Sequence, residues 1–279
     1  MKATKEWVAA SGAAYLPAGR AGTAYLRHYA ARYSVLGDGP PLVLVPGLAG
    51  GLGLLGPLAR QLASDFQVIT YQLRGEDDWA ALRQRFGLAD LAADLGELID
   101  WFGLERPALM GVSFGGLVAL ELLTRQPWRA RSLVLQGVGP RFEPGLLQQV
   151  ASLVLSRYPL PCDNPFVNQF FNLFFGRRQK PGPLFDFVTR QCWQTDQGVM
   201  AHRFRMVEEV ELSGRLGGVR APALLLGGER DLLVSGRGLQ DLAAELPAGE
   251  ARALPGCGHL AFVTHPDKVA AEARRFLMN

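Results

Sequence analysis

Cysteine is scarce in this chain, and the three present, Cys162, Cys192 and Cys257, form neither a disulfide framework nor a metal-ligand spacing. They read as reduced thiols of a cytoplasmic protein, with a Cys162–Cys192 bond left open. No apolar run reaches membrane-spanning length. The stretch from Met1 to Leu16 is broken by Glu6, Ser11 and Gly12 and lacks the continuous apolar core of a signal peptide, which again points to the cytoplasm. Dense lysine or arginine runs are missing as well. With a net charge of only +3, nucleic acid is not an expected partner, and a neutral or apolar small molecule is. Repeats and low-complexity tracts are also absent.

What remains is a chain of 279 residues, 48% hydrophobic and 20% charged, enough to bury a large core. It reads as one globular domain with room for an inserted subdomain. Ala24 to Val35, rich in tyrosine and broadly alternating, predicts an antiparallel edge strand with Ala13 to Leu16 as a shorter partner. Short bounded apolar runs then alternate with segments of helical spacing. The predicted strands are Leu42–Val45, Phe66–Tyr71, Ala108–Met110, Arg131–Leu135, Ala223–Leu226 and Ala251–Leu254; the predicted helices include Leu54–Ala63, Leu88–Phe102, Leu117–Leu123, Gly238–Leu246 and Pro266–Leu277. Such alternation means a mostly parallel sheet with helices on both faces, because parallel neighbours need crossover connections.

The rhythm fails over residues 140–212, where no strand pattern is found. That stretch holds 11 of the chain's 26 aromatic residues, among them Phe171, Phe174, Phe175, Phe185, Trp193 and Phe204. The domain reading is a core in two parts, 1–139 and 213–279, with a helical cap at 140–212 inserted between them. A cap needs aromatics for its own small core and can use the remainder to line an apolar pocket.

The chemistry is concentrated at Gly111-Val112-Ser113-Phe114-Gly115, where a short apolar strand runs into a helix. A serine at a sharp strand-to-helix turn needs small residues two positions to either side, since side chains there would collide. A serine hydroxyl also needs a base, and imidazole suits that task. Four histidines are available. His28 falls on an early edge strand, His202 in the presumed cap and His265 at a helix start, whereas His259 follows a strand in a loop opened by Gly256 and Gly258. The base in turn needs a carboxylate to hold its tautomer. Asp231, after the preceding strand, is favoured over Glu229 on the same turn and Asp241 on the following helix.

Taken together, Gly-x-Ser-x-Gly at Ser113, the acid turn Gly227-Gly228-Glu229-Arg230-Asp231 and the loop Pro255-Gly256-Cys257-Gly258-His259 resemble the α/β-hydrolase fold superfamily over nearly the full length of the chain. The order Ser113, Asp231, His259 is the one that family uses. The resemblance implies a mostly parallel sheet of roughly eight strands, an inserted helical cap, no cofactor and no metal. It also implies a serine esterase, carboxylesterase-like, acting on a small apolar acyl or ester substrate through an acyl-enzyme. An oxyanion hole would come from the amides of Phe114 and Leu48, the latter in Val45-Pro46-Gly47-Leu48.

Two departures from the family stand out. Pro46 replaces the usual histidine, a residue that supports the loop without doing chemistry. Of the loop usually read Asp-x-Arg-Gly-His-Gly-x-Ser, only Arg74-Gly75 is kept, followed by Glu76, Asp77 and Asp78. These acids are expected to be a solvated loop and not a metal site, because adjacent carboxylates without a spaced partner do not converge on an ion. After the strand ending near Leu135 the chain reads Gln136-Gly137-Val138-Gly139, so the acid that some members carry there is missing. Acyl transfer, carbon-carbon bond hydrolysis, aminopeptidase activity and a slow receptor-like triad all stay open on the same residues.

Overall fold

Strand pairing builds one sheet of eight strands. The computed structural model describes residues 19–76, 86–140, 171–172, 174–176 and 182–279. In chain order the elements are β1 (Arg20–Tyr25), β2 (Ala30–Leu36), β3 (Pro41–Val45), α1 (Gly51–Leu62), β4 (Gln67–Tyr71), α2 (Leu88–Trp101), β5 (Ala108–Val112), α3 (Phe114–Arg125) and β6 (Ser132–Gln136). There follow α4 (Pro183–Cys192), α5 (Gln197–Glu209), β7 (Ala223–Gly228), α6 (Gly236–Glu245), β8 (Gly249–Leu254), α7 (Ala261–Thr264) and α8 (Pro266–Leu277). The spatial order is β1-β2-β4-β3-β5-β6-β7-β8. Pairing is antiparallel on both sides of β2 and parallel from β4 onward.

The parallel strands are apolar on both faces because helices cover both. Period-2 alternation sends Val43, Val45, Leu109, Leu133, Leu135 and Leu225 to one side, where they pack with apolar residues of α2, α3 and α6. Their neighbours Leu42, Leu44, Met110, Val112, Val134 and Leu226 face the other way, toward α1 and α8. At about 25 cal/mol per Å² of buried apolar surface, these two layers are the main favourable term in the fold.

The leading edge differs from the single strand expected over Ala24 to Val35. It is a hairpin of β1 and β2, closed where the Leu26 amide donates to the Tyr29 carbonyl at 3.0 Å. Tyrosine-rich alternation runs through both arms and hides the turn, which carries no glycine or proline between Leu26 and Tyr29. The partner expected at Ala13 to Leu16 lies outside the described residues. The other predicted strands and helices fall where the pattern puts them, to within a few residues.

Between β6 and β7 the described residues contain α4 and α5 and no strand. The described aromatics there do not form a core of their own. Phe171, Phe175, Phe185 and Phe187 join Leu54, Leu58 and Leu62 of α1 in one continuous apolar layer. Phe175 and Phe185 stack at 5.6 Å, and Phe171 meets Trp193 at 5.7 Å. Phe142, Tyr158, Phe166 and Phe170 lie outside the described residues, as does Cys162. Cys192 and Cys257 are buried free thiols. Among the described residues no helix is long and apolar enough to cross a membrane.

Candidate active site

The loops that follow β3, β5, β7 and β8 gather at the carboxyl ends of the parallel strands, where open α/β sheets place ligands. Ser113 occupies the junction of β5 and α3 with φ 50° and ψ −120°, and it is the one non-glycine residue with positive φ among the described residues. Such a conformation costs of order 1–3 kcal/mol and persists only when its surroundings impose it. The surroundings are tight. A Cβ on Gly111 would lie 2.5 Å from the Gly116 Cα, and one on Gly115 would lie 2.3 Å from the Val45 carbonyl oxygen. The elbow is therefore closed over its own first helical turn and against the end of β3, and only glycine fits at either position.

The turn presents the Ser113 hydroxyl to His259, with 2.8 Å between Oγ and Nε2. On the far side of the ring, Nδ1 lies 2.9 Å from Oδ2 of Asp231. This arrangement fixes the tautomer: Nδ1–H donates to the carboxylate and Nε2 accepts from the serine. The other Asp231 oxygen, Oδ1, accepts the amides of Leu233 at 2.9 Å and Val234 at 3.0 Å. Burial pushes the Asp231 carboxyl up, but the charge and hydrogen bond of His259 together with those two amides hold it below the ordinary carboxylate value. It is an anion at neutral pH.

Supporting contacts hold the imidazole in place. Gln136, fully buried at the end of β6, donates through Nε2 to the His259 carbonyl at 3.0 Å. Gly137 (φ 67°) passes under the ring, and a Cβ there would stand 3.0 Å from His259 Cε1. The missing side chain at 137 is thus what admits the imidazole. Phe174 closes the outer edge at 5.8 Å between ring centroids.

The competing residues are occupied elsewhere. His28 is exposed in the β1–β2 turn, His202 bonds through Nε2 to the Phe86 carbonyl at 2.7 Å, and His265 Nδ1 pairs with Thr264 Oγ1 at 2.9 Å. Glu229 accepts the Gly256 amide at 2.8 Å and so closes the loop that carries His259. Asp241 is exposed on α6 and faces Arg237.

Leu48 and Phe114 both line the cavity that opens over Ser113. Phe114 is the first residue of α3, so its N–H has no helical carbonyl behind it. The chain before Leu48 runs close beneath the serine, since a Cβ on Gly47 would stand 4.0 Å from that of Ser113. The cavity walls include Leu54, Phe171, Trp193, Met200, Phe204, Val207 and Leu260, and no Asp, Glu, Lys or Arg is among the described lining residues. Cys192 also reaches this cavity, and burial pushes its thiol up to about 12.

The acidic loop after β4 departs from expectation. Glu76 is buried and not solvated, because Arg203 of α5 takes its carboxylate at 3.1 Å. Arg74 is likewise buried, with a bidentate hold on Asp94 of α2. Asp77 and Asp78 lie outside the described residues. Among the described residues no group of three His, Cys, Asp or Glu side chains could hold a metal ion.

Known proteins share this arrangement of chain. A family model for the alpha/beta hydrolase fold matches residues 40–266. The pimeloyl-[acyl-carrier protein] methyl ester esterase of Stenotrophomonas maltophilia is 29% identical, over 87% of this chain and 95% of its own. A thermophilic esterase of Thermogutta terrifontis superposes with a TM-score of 0.76 at 20% identity, covering 93% of this chain and 98% of that one. The enol-lactonase of Burkholderia xenovorans gives 0.75 at 18% identity, covering 92% and 100%. With the family model covering most of its length and every parallel strand in place, the chain belongs to the alpha/beta hydrolase fold family.

Proposed function

We propose that the protein is a serine hydrolase that cleaves carboxylic esters with an uncharged, apolar acyl group. The observation that carries this reading is the continuous hydrogen-bonded line from Ser113 through His259 to Asp231 at the mouth of an apolar cavity. Ser113 Oγ attacks the ester carbonyl while His259 Nε2 takes its proton, and the carbonyl oxygen, now an anion, is held by the amides of Leu48 and Phe114. Each such amide is worth about 10²–10³ in kcat. His259 then returns the proton to the departing alkoxide, leaving the acyl group on Ser113. Water attacks that acyl-enzyme with His259 again as base, and the acid leaves as Ser113 recovers its proton. Asp231 stays ionised throughout and stabilises the imidazolium.

The stretch 140–212 acts as a cap whose Phe171, Trp193, Met200 and Phe204 receive the apolar part of the substrate. The ester-cleaving names of the relatives support the reaction class, and the buried free thiols support the cytoplasmic placement. A carboxylate entering this cavity would lose its water and meet no cation among the described residues. Assays with p-nitrophenyl hexanoate and with the equally long p-nitrophenyl adipate monoester should therefore give kcat/KM at least about 100-fold higher for the neutral ester. In the same assay Ser113→Ala should lower kcat by about 10⁴-fold or more with an unchanged circular dichroism spectrum. Turnover surviving in that variant rejects the serine-hydrolase reading, and equal use of the two esters rejects the substrate class.

A further inference from the structure

Arg203 projects from α5 and is entirely buried, yet it does not belong to the serine–histidine–aspartate line. Its guanidinium is divided among three acceptors. Nη1 donates to the Leu48 carbonyl at 2.7 Å and to Glu76 Oε1 at 3.1 Å, and Nη2 donates to the Arg74 carbonyl at 3.0 Å. The Glu76 carboxylate lies against the first residue of α1, where a Cβ on Gly51 would be 2.3 Å from Oε2. An anion at that helix N-terminus is favoured, and it also neutralises the arginine. Two residues before α5, Thr195 Oγ1 accepts the Gly50 amide at 3.0 Å. One segment thus grips the loop after β3 at both Leu48 and Gly50.

Pro46 carries no amide hydrogen, and Gly50 sits at φ 83°. Buried ion pairs seldom repay their desolvation as stability. The anchored carbonyl belongs to the Leu48–Ala49 peptide, next along the chain from the Gly47–Leu48 peptide that carries the Leu48 N–H, so holding it limits how far Leu48 can turn. We infer that Arg203 is a positioning residue: by holding the adjoining Leu48–Ala49 peptide it keeps the Leu48 N–H facing the oxygen that becomes negative during ester cleavage. The inference rests on the reading of Leu48 as an oxyanion donor. It also ties catalysis to the substrate cavity, because Met200 and Phe204, which line that cavity, are on the same helix as Arg203.

The test uses the full chain with p-nitrophenyl hexanoate and, as a transition-state mimic, an alkyl trifluoromethyl ketone whose adduct with serine places an oxyanion in the same position. Arg203→Met should lower kcat about 10–100-fold, raise the inhibition constant of the ketone by the same factor and leave KM within about twofold. Arg203→Lys, which keeps the charge but cannot span three acceptors, should recover part of the loss. Thr195→Val should cost about threefold in kcat. Thermal unfolding confirms that each variant is folded. The inference is overturned if folded Arg203→Met keeps kcat and the ketone constant within twofold of wild type, or if Arg203→Lys does so where the methionine variant does not fold. A rise in KM alone also overturns it, by assigning Arg203 to pocket shape. Ser113→Ala separates the two readings: activity remaining there rejects the hydrolase assignment itself, whatever Arg203 does.

Discussion

Asp231 gives its two oxygens different partners, one to His259 and one to the amides of Leu233 and Val234. Because these partners hold its carboxyl below the usual value near 3.8, ionised Asp231 adds stability to the fold. The sign follows from linkage. The contribution is complete above the unfolded carboxyl's pKa and is lost as pH falls through the lower, folded one. Asp231→Asn should accordingly be less stable than wild type by about 1–3 kcal/mol at pH 7, with the difference shrinking below about pH 4. Urea denaturation of both proteins from neutral to acid pH measures that difference, and one that stays constant with pH would contradict the assignment. Glu229, two residues away, accepts the Gly256 amide instead. Both carboxylates are on one turn, and sequence favours Asp231 by its place alone; the backbone path decides which one faces the imidazole.

At the scale of elements, the elbow is a junction of three segments and not just a turn. Gly115 packs onto the last carbonyls of β3, with a Cβ there 2.3 Å from the Val45 oxygen and 2.4 Å from that of Pro46. Gly115→Ala would have to push β3 and the loop that follows it away from α3, a backbone overlap that no rotamer relieves. A loss of about 2–4 kcal/mol is expected by denaturant titration. Gly217→Ala, with nothing within 4 Å of its added Cβ, should change stability by less than about 0.5 kcal/mol. If the two substitutions cost the same, packing at the elbow is not what fixes Ser113. The glycines around Ser113 were readable in sequence because a local steric rule demands them. The hairpin turn at Leu26 to Tyr29 was not readable, since no glycine or proline marks it and its register is set by pairing with the rest of the sheet.

For the whole molecule, the parallel sheet was legible because its strands are short apolar runs separated by helical spacing, and because parallel pairing leaves few ways to connect them. The meeting of Ser113, Asp231 and His259 was legible because each sits on a turn of restricted chemistry. Arg203 and Thr195 carry no such mark. They lie 155 and 145 residues from the backbone groups they hold, in a segment whose sequence shows only helical and aromatic character. Nothing local distinguishes a buried arginine from a solvated one, and the same blindness made Glu76 look exposed. The central claim is that one serine, activated by His259, forms a covalent bond with an electrophilic acyl-like centre. Intact-mass and peptide-level mass spectrometry of the protein treated with an alkyl fluorophosphonate tests it most directly. The account predicts a single adduct, located on Ser113 and missing from Ser113→Ala, whereas an unlabelled protein or an adduct on any other residue would contradict it.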